Sequence, residues 1–175
     1  MDKFRDIFEN LLSLKDEYEW LDFKENWFSK DEIGEYISAI SNGASLCGKE
    51  NGYIVWGVND KTKKVVGTNI NFDRDIDSEP YKHYLARNLK PSIAFDVVEF
   101  TYDGKRIVMI IVPCAKSVKT KYKGVDYIRI GSSKERIDKY PEYEIKLNNI
   151  LVIGFPTIVN RSEEHTSELQ SLAYL

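Results

Sequence analysis

Residues that bind zinc are scarce in this sequence, and long apolar runs are absent. The 175 residues include two cysteines, Cys47 and Cys114, and two histidines, His83 and His165. With so few thiols and imidazoles we expect no zinc site. Both cysteines lie in apolar surroundings, which favours buried free thiols in a reducing compartment. Because we find neither a signal peptide nor a run long enough to span a bilayer, we expect a cytoplasmic protein with no membrane partner.

The composition is typical of a globular domain. The chain is 42% hydrophobic and 30% charged, and its length suits one domain with an appendage. We predict the domain over residues 1–150 and the start of a truncated C-terminal region over 151–160. Residues 161–175 begin with Arg161-Ser-Glu-Glu-His-Thr-Ser-Glu-Leu-Gln-Ser171. This stretch resembles a translated sequencing adapter, so we treat the tail as non-native.

Charge is unevenly distributed along the chain. Residues 1–35 hold eleven acidic against five basic side chains, whereas residues 115–139 hold eight basic against three acidic ones. An acidic site beside a basic binding surface would produce this asymmetry, and so would two solvated faces. Charge alone leaves both interpretations open.

The clearest local pattern is a helix followed by a strand within residues 29–60. Ser29 and Glu32 have the spacing of a capping box, and Gly48 is a natural helix end. Apolar residues between them recur every three or four positions, as on one helical face. The run Tyr53–Val58 then predicts a buried strand whose end delivers Asp60 to a loop, where scaffolds often present functional side chains.

The remaining pattern predicts an α+β fold. Strands are expected over 17–25, 65–67, 93–102, 106–112 and 127–130, and further helices over 4–12, 75–88 and 138–151. Asp103-Gly104 is a strong hairpin signal between two of these strands. We therefore predict a mixed, mostly antiparallel sheet with the central helix packed on one face.

Four segments of the chain resemble one family. They are Glu17-x4-Asp22-Phe-Lys, Ser38–Asn42 followed by Gly52–Asp60, Val65–Thr68, and Tyr127-Ile-Arg-Ile-Gly-Ser-Ser133. In this order and spacing they resemble the Schlafen AlbA-type domain, over about residues 10 to 150. Three positions depart from its pattern: Asp22 replaces a Glu, Glu50-Asn-Gly replaces a Gly-Gly turn, and Asn59 replaces the first Asp of an acidic pair.

The resemblance implies a nucleic-acid-binding module, DNA or RNA, of a bacterial transcriptional or regulatory protein. Some Schlafen proteins instead cleave tRNA or rRNA with an acidic triad, whose positions match Glu17, Asp22 and Asp60. Such carboxylates would hold Mg²⁺ or Mn²⁺, which clamps phosphate and activates water. Alternatively, Asp22 pairs with Lys24 or Arg129 and Asp60 closes an Asx-type turn. A third alternative is a structural or oligomerising module, and pairing as a homodimer is left open.

A basic stretch supplies the candidate nucleic-acid contacts. With tyrosines interleaved, it would track a phosphate backbone and stack bases, although a charged edge strand would also look like this. The predicted contacts are Lys24, Lys116, Lys119, Lys121, Lys123, Arg129, Ser132, Ser133, Lys134 and Arg136.

A possible nucleotide loop can be set aside. Gly43-x4-Gly48-Lys49 is similar to a phosphate-binding loop, but Glu50 stands where Ser or Thr would hold Mg²⁺. The segment also ends a helix and precedes a strand, the reverse of the usual order, so we expect no ATP site.

Overall fold

The computed structural model describes residues 2–14 and 16–154, so the predicted tail and residues 155–160 of the preceding C-terminal region lie outside the described residues. The helices are α1 (Asp2–Leu12), α2 (Glu32–Leu46), α3 (Tyr81–Asn88) and α4 (Pro141–Ile153), with a 3-10 turn at Ile137–Lys139. The strands are β1 (Leu21–Lys24), β2 (Asn51–Trp56), β3 (Asp75–Ile76), β4 (Glu79–Pro80), β5 (Leu89–Lys90), β6 (Asp96–Tyr102), β7 (Lys105–Pro113), β8 (Lys121–Tyr122), β9 (Val125–Ile130) and β10 (Ser133–Arg136).

The first sheet has the order β1-β2-β7-β6. β1 pairs parallel to β2, whereas β2, β7 and β6 pair antiparallel. Because β1 and β2 run in the same direction, their carboxyl ends meet at one edge of the sheet, where the Gly57 amide donates to the Lys24 carbonyl at 2.8 Å. This parallel pair therefore brings the segments after Lys24 and Trp56 together, although they are distant in sequence.

A second sheet has the order β10-β9-β8-β5, and all of its pairs are antiparallel. The predicted α+β class with a mostly antiparallel arrangement is confirmed. Helix α2 contacts β2 of the first sheet and also β9 and β8 of the second. The helix thus lies where it can hold the two sheets in a fixed relation.

Buried polar side chains on α2 join it to the second sheet. The Asn42 amide nitrogen donates to the carbonyls of Thr120 and Tyr127, both at 2.9 Å, and its oxygen accepts from the Thr120 amide at 2.8 Å. The Ser38 hydroxyl donates to the Thr120 carbonyl at 2.6 Å. Since these buried groups are satisfied only in this arrangement, they specify how α2 and the strands meet.

Several predicted elements have different bounds. The first part of the predicted 75–88 helix is the β3–β4 hairpin, because Asp77 and Ser78 adopt left-handed backbone angles that no helix accommodates. The expected strand at 65–67 is reduced to a single bridge between Val65 and Val58. Helix α2 begins after Asp31 without a side-chain cap.

The structure also bears on the two cysteines and on the length of the apolar segments. Cys47 and Cys114 are free thiols, and burial raises the pKa of Cys47 to about 12. Within residues 2–14 and 16–154, no helix is both long and apolar enough to cross a bilayer.

Candidate functional site

A cleft of about 430 Å³ opens at the edge where β1 and β2 end. We call it the acidic cleft, and its lining residues are Glu17, Asp22, Phe23, Lys24, Glu25, Trp27, Asn59, Asp60, Lys61 and Ser132. The segment before β1, strand β1 with its continuation, the loop after β2 and the turn between β9 and β10 all contribute. The fold thus brings the three predicted acids Glu17, Asp22 and Asp60 to one cleft.

Arg129 lies beneath the cleft and is completely buried. Its Nη2 donates to the Glu17 carboxylate at 2.6 Å and to Asp22 at 3.1 Å. Its Nη1 donates to the carbonyls of Tyr18 and Leu21, each at 2.6 Å. A polynucleotide cannot reach a side chain in this position, so the expectation of a surface contact is corrected: Arg129 is the internal counter-ion of the two acids.

Two lysines also pair with the carboxylates of Asp22 and Glu17. The Lys24 amine lies 3.0 Å from Asp22, and the Lys63 amine lies 3.7 Å from Glu17. Together with Arg129, three cations therefore face two carboxylates. These pairs reduce the repulsion that Glu17 and Asp22 would exert on an approaching anion. Glu25 and Asp60 add further negative charge to the lining.

Burial and neighbouring charges act in opposite directions on the pKa values of Asp22 and Lys24. Burial raises the pKa of Asp22, while Arg129 and Lys24 oppose that rise. Burial also disfavours the protonated amine of Lys24, but Asp22 and Tyr36 outweigh it and raise its pKa. Lys24 therefore remains a cation at neutral pH.

The divalent ion implied by the family resemblance does not fit these residues as they are arranged. Glu17 Oε1 and Asp22 Oδ2 are buried without a hydrogen-bond donor, but each has a lysine amine at ion-pair distance. In the described part of the chain no three Asp, Glu, His or Cys side chains are grouped closely enough to hold a metal. Arg129 already supplies the positive charge between Glu17 and Asp22 that an ion would otherwise provide.

Asp60 and its neighbour Asn59 have distinct roles at the rim. The Asn59 side-chain oxygen accepts from the amides of Lys61 and Thr62 at 3.0 and 2.8 Å, which closes an Asx-type turn. Asp60, which the sequence suggested for that turn, is instead exposed at the cleft. The turn therefore presents the Asp60 and Lys61 side chains to solvent.

A cation–aromatic row extends from the cleft. We use this name for Trp27, Lys24, Tyr36, Lys134 and Tyr127. The Lys24 amine lies 4.8 Å from the ring centre of Trp27 and 4.2 Å from that of Tyr36. The Lys134 amine lies 5.3 Å from Tyr36 and 5.6 Å from Tyr127. A cation within about 6 Å of an aromatic ring centre is attracted to the ring. The two lysines therefore help to fix the positions of the half-buried rings in this row.

Sequence reasoning missed two members of this row. They are Trp27 and Tyr36, which the sequence did not single out as binding residues. Their rings meet edge to face at 5.6 Å although they belong to different elements. The local sequence signal is the pair Trp27-Phe28 with Lys30 after β1, which does not specify a meeting with α2.

The other predicted nucleic-acid contacts do not form one group. Ser132 and Ser133 are exposed at the β9–β10 turn, where Ser132 lines the cleft. Arg136 pairs with Asp138 at 2.9 Å.

The other lysines lie away from the cleft. Lys123 pairs with Asp31 at 2.9 Å, in a turn where its backbone angle is left-handed. Lys119 and Lys121 lie on the β8 side of the second sheet, and exposed Lys116 precedes them. The basic stretch is therefore not one continuous surface.

Residues 17–138 match the family model described as Schlafen, AlbA_2. The chain belongs to this family. No curated protein matches the chain. Among solved structures, it is similar to the DIP2311 protein of Corynebacterium diphtheriae, with 18% identity, a TM-score of 0.52 and coverage of 82% of this chain. At this low identity the likeness shows the fold alone, and the chain spans only 28% of that protein.

A second solved structure is also similar. It is the N-terminal domain of a protein from Nitrosomonas europaea described as related to the ATP-dependent DNA helicase RecG. The identity is 24%, the TM-score is 0.42, and the match covers 74% of this chain and 90% of that one.

Proposed function

We propose that this Schlafen AlbA_2 domain binds nucleic acid across the acidic cleft and the cation–aromatic row, without cleaving it. The observation that carries the proposal is their continuity, because Lys24 belongs to both. Phosphates would lie against Lys24, Lys61 and the Ser132 hydroxyl. Bases would lie against Trp27 and Tyr36, whose side chains are half-buried.

The pairing of the two inner acids supports this use. A phosphate would be repelled by unpaired carboxylates, but Glu17 and Asp22 are held by Arg129, Lys24 and Lys63. Aromatic rings beside such cations suit single-stranded or looped substrates, whose bases are free to stack. Binding without cleavage would suit a regulatory module within a longer bacterial protein.

The test is fluorescence anisotropy of the 175-residue chain with labelled single-stranded RNA, single-stranded DNA and duplex DNA. Binding should weaken as salt rises, because phosphate contacts release counterions. Trp27→Ala should lose on the order of 1 to 3 kcal/mol of single-strand affinity if a base stacks there. Lys61→Met should weaken binding and reduce the salt slope by about 0.7 to 0.9.

A matched control is the exposed Lys3 on α1, which lies outside the cleft. Lys3→Met should bind like the parent chain. If Lys61→Met and Trp27→Ala also bind like the parent, the proposed surface is wrong.

The second candidate is a metal-dependent endoribonuclease. What favours it is that Glu17, Asp22 and Asp60 line one cleft. The same probes with added tRNA would be incubated with Mg²⁺ or Mn²⁺ and with EDTA. The variants would be Asp60→Ala and, as a matched exposed acid outside the cleft, Asp16→Ala. Metal-dependent cutting lost only in Asp60→Ala would establish a nuclease and refute binding without cleavage.

A further inference from the structure

A second concave surface lies at the β5 edge of the second sheet. It encloses about 500 Å³ and is formed by β5, the segment before β8, and the end of α4. In the order β10-β9-β8-β5 this edge is opposite β10, next to which the acidic cleft opens. We call it the valine–lysine groove, and the lining residues that matter here are Lys90, Val118, Lys119, Lys121, Leu151 and Val152.

Aliphatic side chains in this groove are unusually exposed. Val118 is 55% exposed and Val152 is 87% exposed, whereas the valines of the strands are buried or half-buried. Leu151 is nearly buried and lies beside Val152 in the groove lining. Exposed apolar surface rimmed by polar groups marks interaction sites. Contact with aliphatic side chains of a partner would remove this apolar surface from water.

The rim of the groove carries excess positive charge. Lys119 lies 3.0 Å from Asp126 and pairs also with Glu144, while Lys121 lies 3.7 Å from the same Asp126. Lys90 is exposed and has no carboxylate within ion-pair distance among the described residues. Three lysines therefore share two acids. The ligand that complements this rim is an anion.

We infer that the valine–lysine groove binds an acidic peptide segment that also carries aliphatic side chains. Charge complementarity calls for carboxylates opposite Lys90 and Lys121, and the exposed Val118 and Val152 call for apolar partners. A polynucleotide would satisfy the lysines but would leave the valines against polar phosphate and sugar. None of the described residues that line the groove is aromatic, so none can stack a base. This site is independent of the nucleic-acid surface proposed above.

The experiment measures anisotropy of a fluorescein-labelled decapeptide of alternating Glu and Leu, added to the 175-residue chain. A Lys-Leu decapeptide tests charge, and a Glu-Ser decapeptide tests the apolar contribution. We expect saturable, salt-sensitive binding of the Glu-Leu peptide. Both comparison peptides should bind on the order of tenfold more weakly, because each lacks one of the two complementary features.

Helix α4 offers matched variants. Val152→Asp should weaken Glu-Leu binding roughly tenfold. Ile145→Asp, at an exposed aliphatic position on the same helix but outside the groove, should leave it unchanged. Lys121→Glu should weaken it, and Lys146→Glu on α4 should not. Since all four positions are exposed, loss of folding would not mimic the expected pattern.

Several results would overturn the inference. These are no saturable binding of the Glu-Leu peptide, equal binding of the Lys-Leu peptide, or equal effects of Val152→Asp and Ile145→Asp. The inference would also be wrong if Lys121→Glu weakened RNA or DNA binding but not peptide binding. If Trp27→Ala abolishes RNA binding while the peptide still binds, the two sites are distinct.

Discussion

Replacing Arg129 by Met tests whether the ion network beneath the cleft holds this fold together. Met fills much of the same space but removes the charge and all donors. Glu17 and Asp22 would then keep buried charge without their shared counter-ion, and the carbonyls of Tyr18 and Leu21 would lose their donor. Removing one partner of a buried pair costs about 3 to 5 kcal/mol, a large part of the roughly 5 to 15 kcal/mol that stabilises a domain.

The assay is urea unfolding followed by tryptophan fluorescence, with the free energy of unfolding extrapolated to water. Arg136→Met is the matched control, because that arginine also pairs with a carboxylate but is 53% exposed. Its loss should be much smaller than that of Arg129→Met, because exposed ion pairs contribute little to stability. Adding Asp22→Asn to Arg129→Met should restore part of the stability, because one uncompensated charge is then absent.

The pH dependence gives an independent check. In Arg129→Met the pKa of Asp22, already raised by burial, should rise further because its main counter-ion is gone. A raised carboxyl pKa makes the ionised form unfavourable, so the loss of stability should be smaller at pH 5 than at pH 7. A loss below about 1 kcal/mol, or one equal to that of Arg136→Met, would refute the assigned role of Arg129.

Two further predictions concern α2 and its contacts. The hydrogen bonds from Tyr84, Lys123 and Tyr122 outweigh partial burial and lower the pKa of Asp31 to about 2. Asp31→Asn should therefore lower the free energy of unfolding by roughly 1 kcal/mol at pH 7, a value discounted for the partial exposure of Asp31. Urea unfolding should show that this loss of stability shrinks as the pH falls from about 4 towards 2. A loss that does not change with pH would contradict the prediction. Gly34→Ala would place a Cβ in steric overlap with the buried Tyr122 ring. Thermal unfolding should therefore show a loss of about 1 to 3 kcal/mol from overpacking, whereas a gain in stability would mean that helix propensity dominates.

Local patterns were enough to predict several elements. The alternation and turn around Asp103-Gly104 predicted the β6–β7 hairpin, and the three-to-four periodicity predicted α2, because both signals lie within short segments. The β3–β4 hairpin was missed because Asp77 and Ser78 are not the glycines that usually mark left-handed turns. The family motif also indicated Glu17, Asp22 and Asp60, which do line one cleft.

The sequence by itself determined most of the longer elements, the family and the identity of the acids. Only the tertiary structure decided what surrounds those acids: the parallel β1–β2 pair, the buried Arg129 that contacts two carboxylates, and the meeting of Trp27 with Tyr36. A periodicity reports which face of an element is apolar. It does not report which distant charge lies beneath it, because burial and ion pairing depend on the packing of segments that are far apart along the chain.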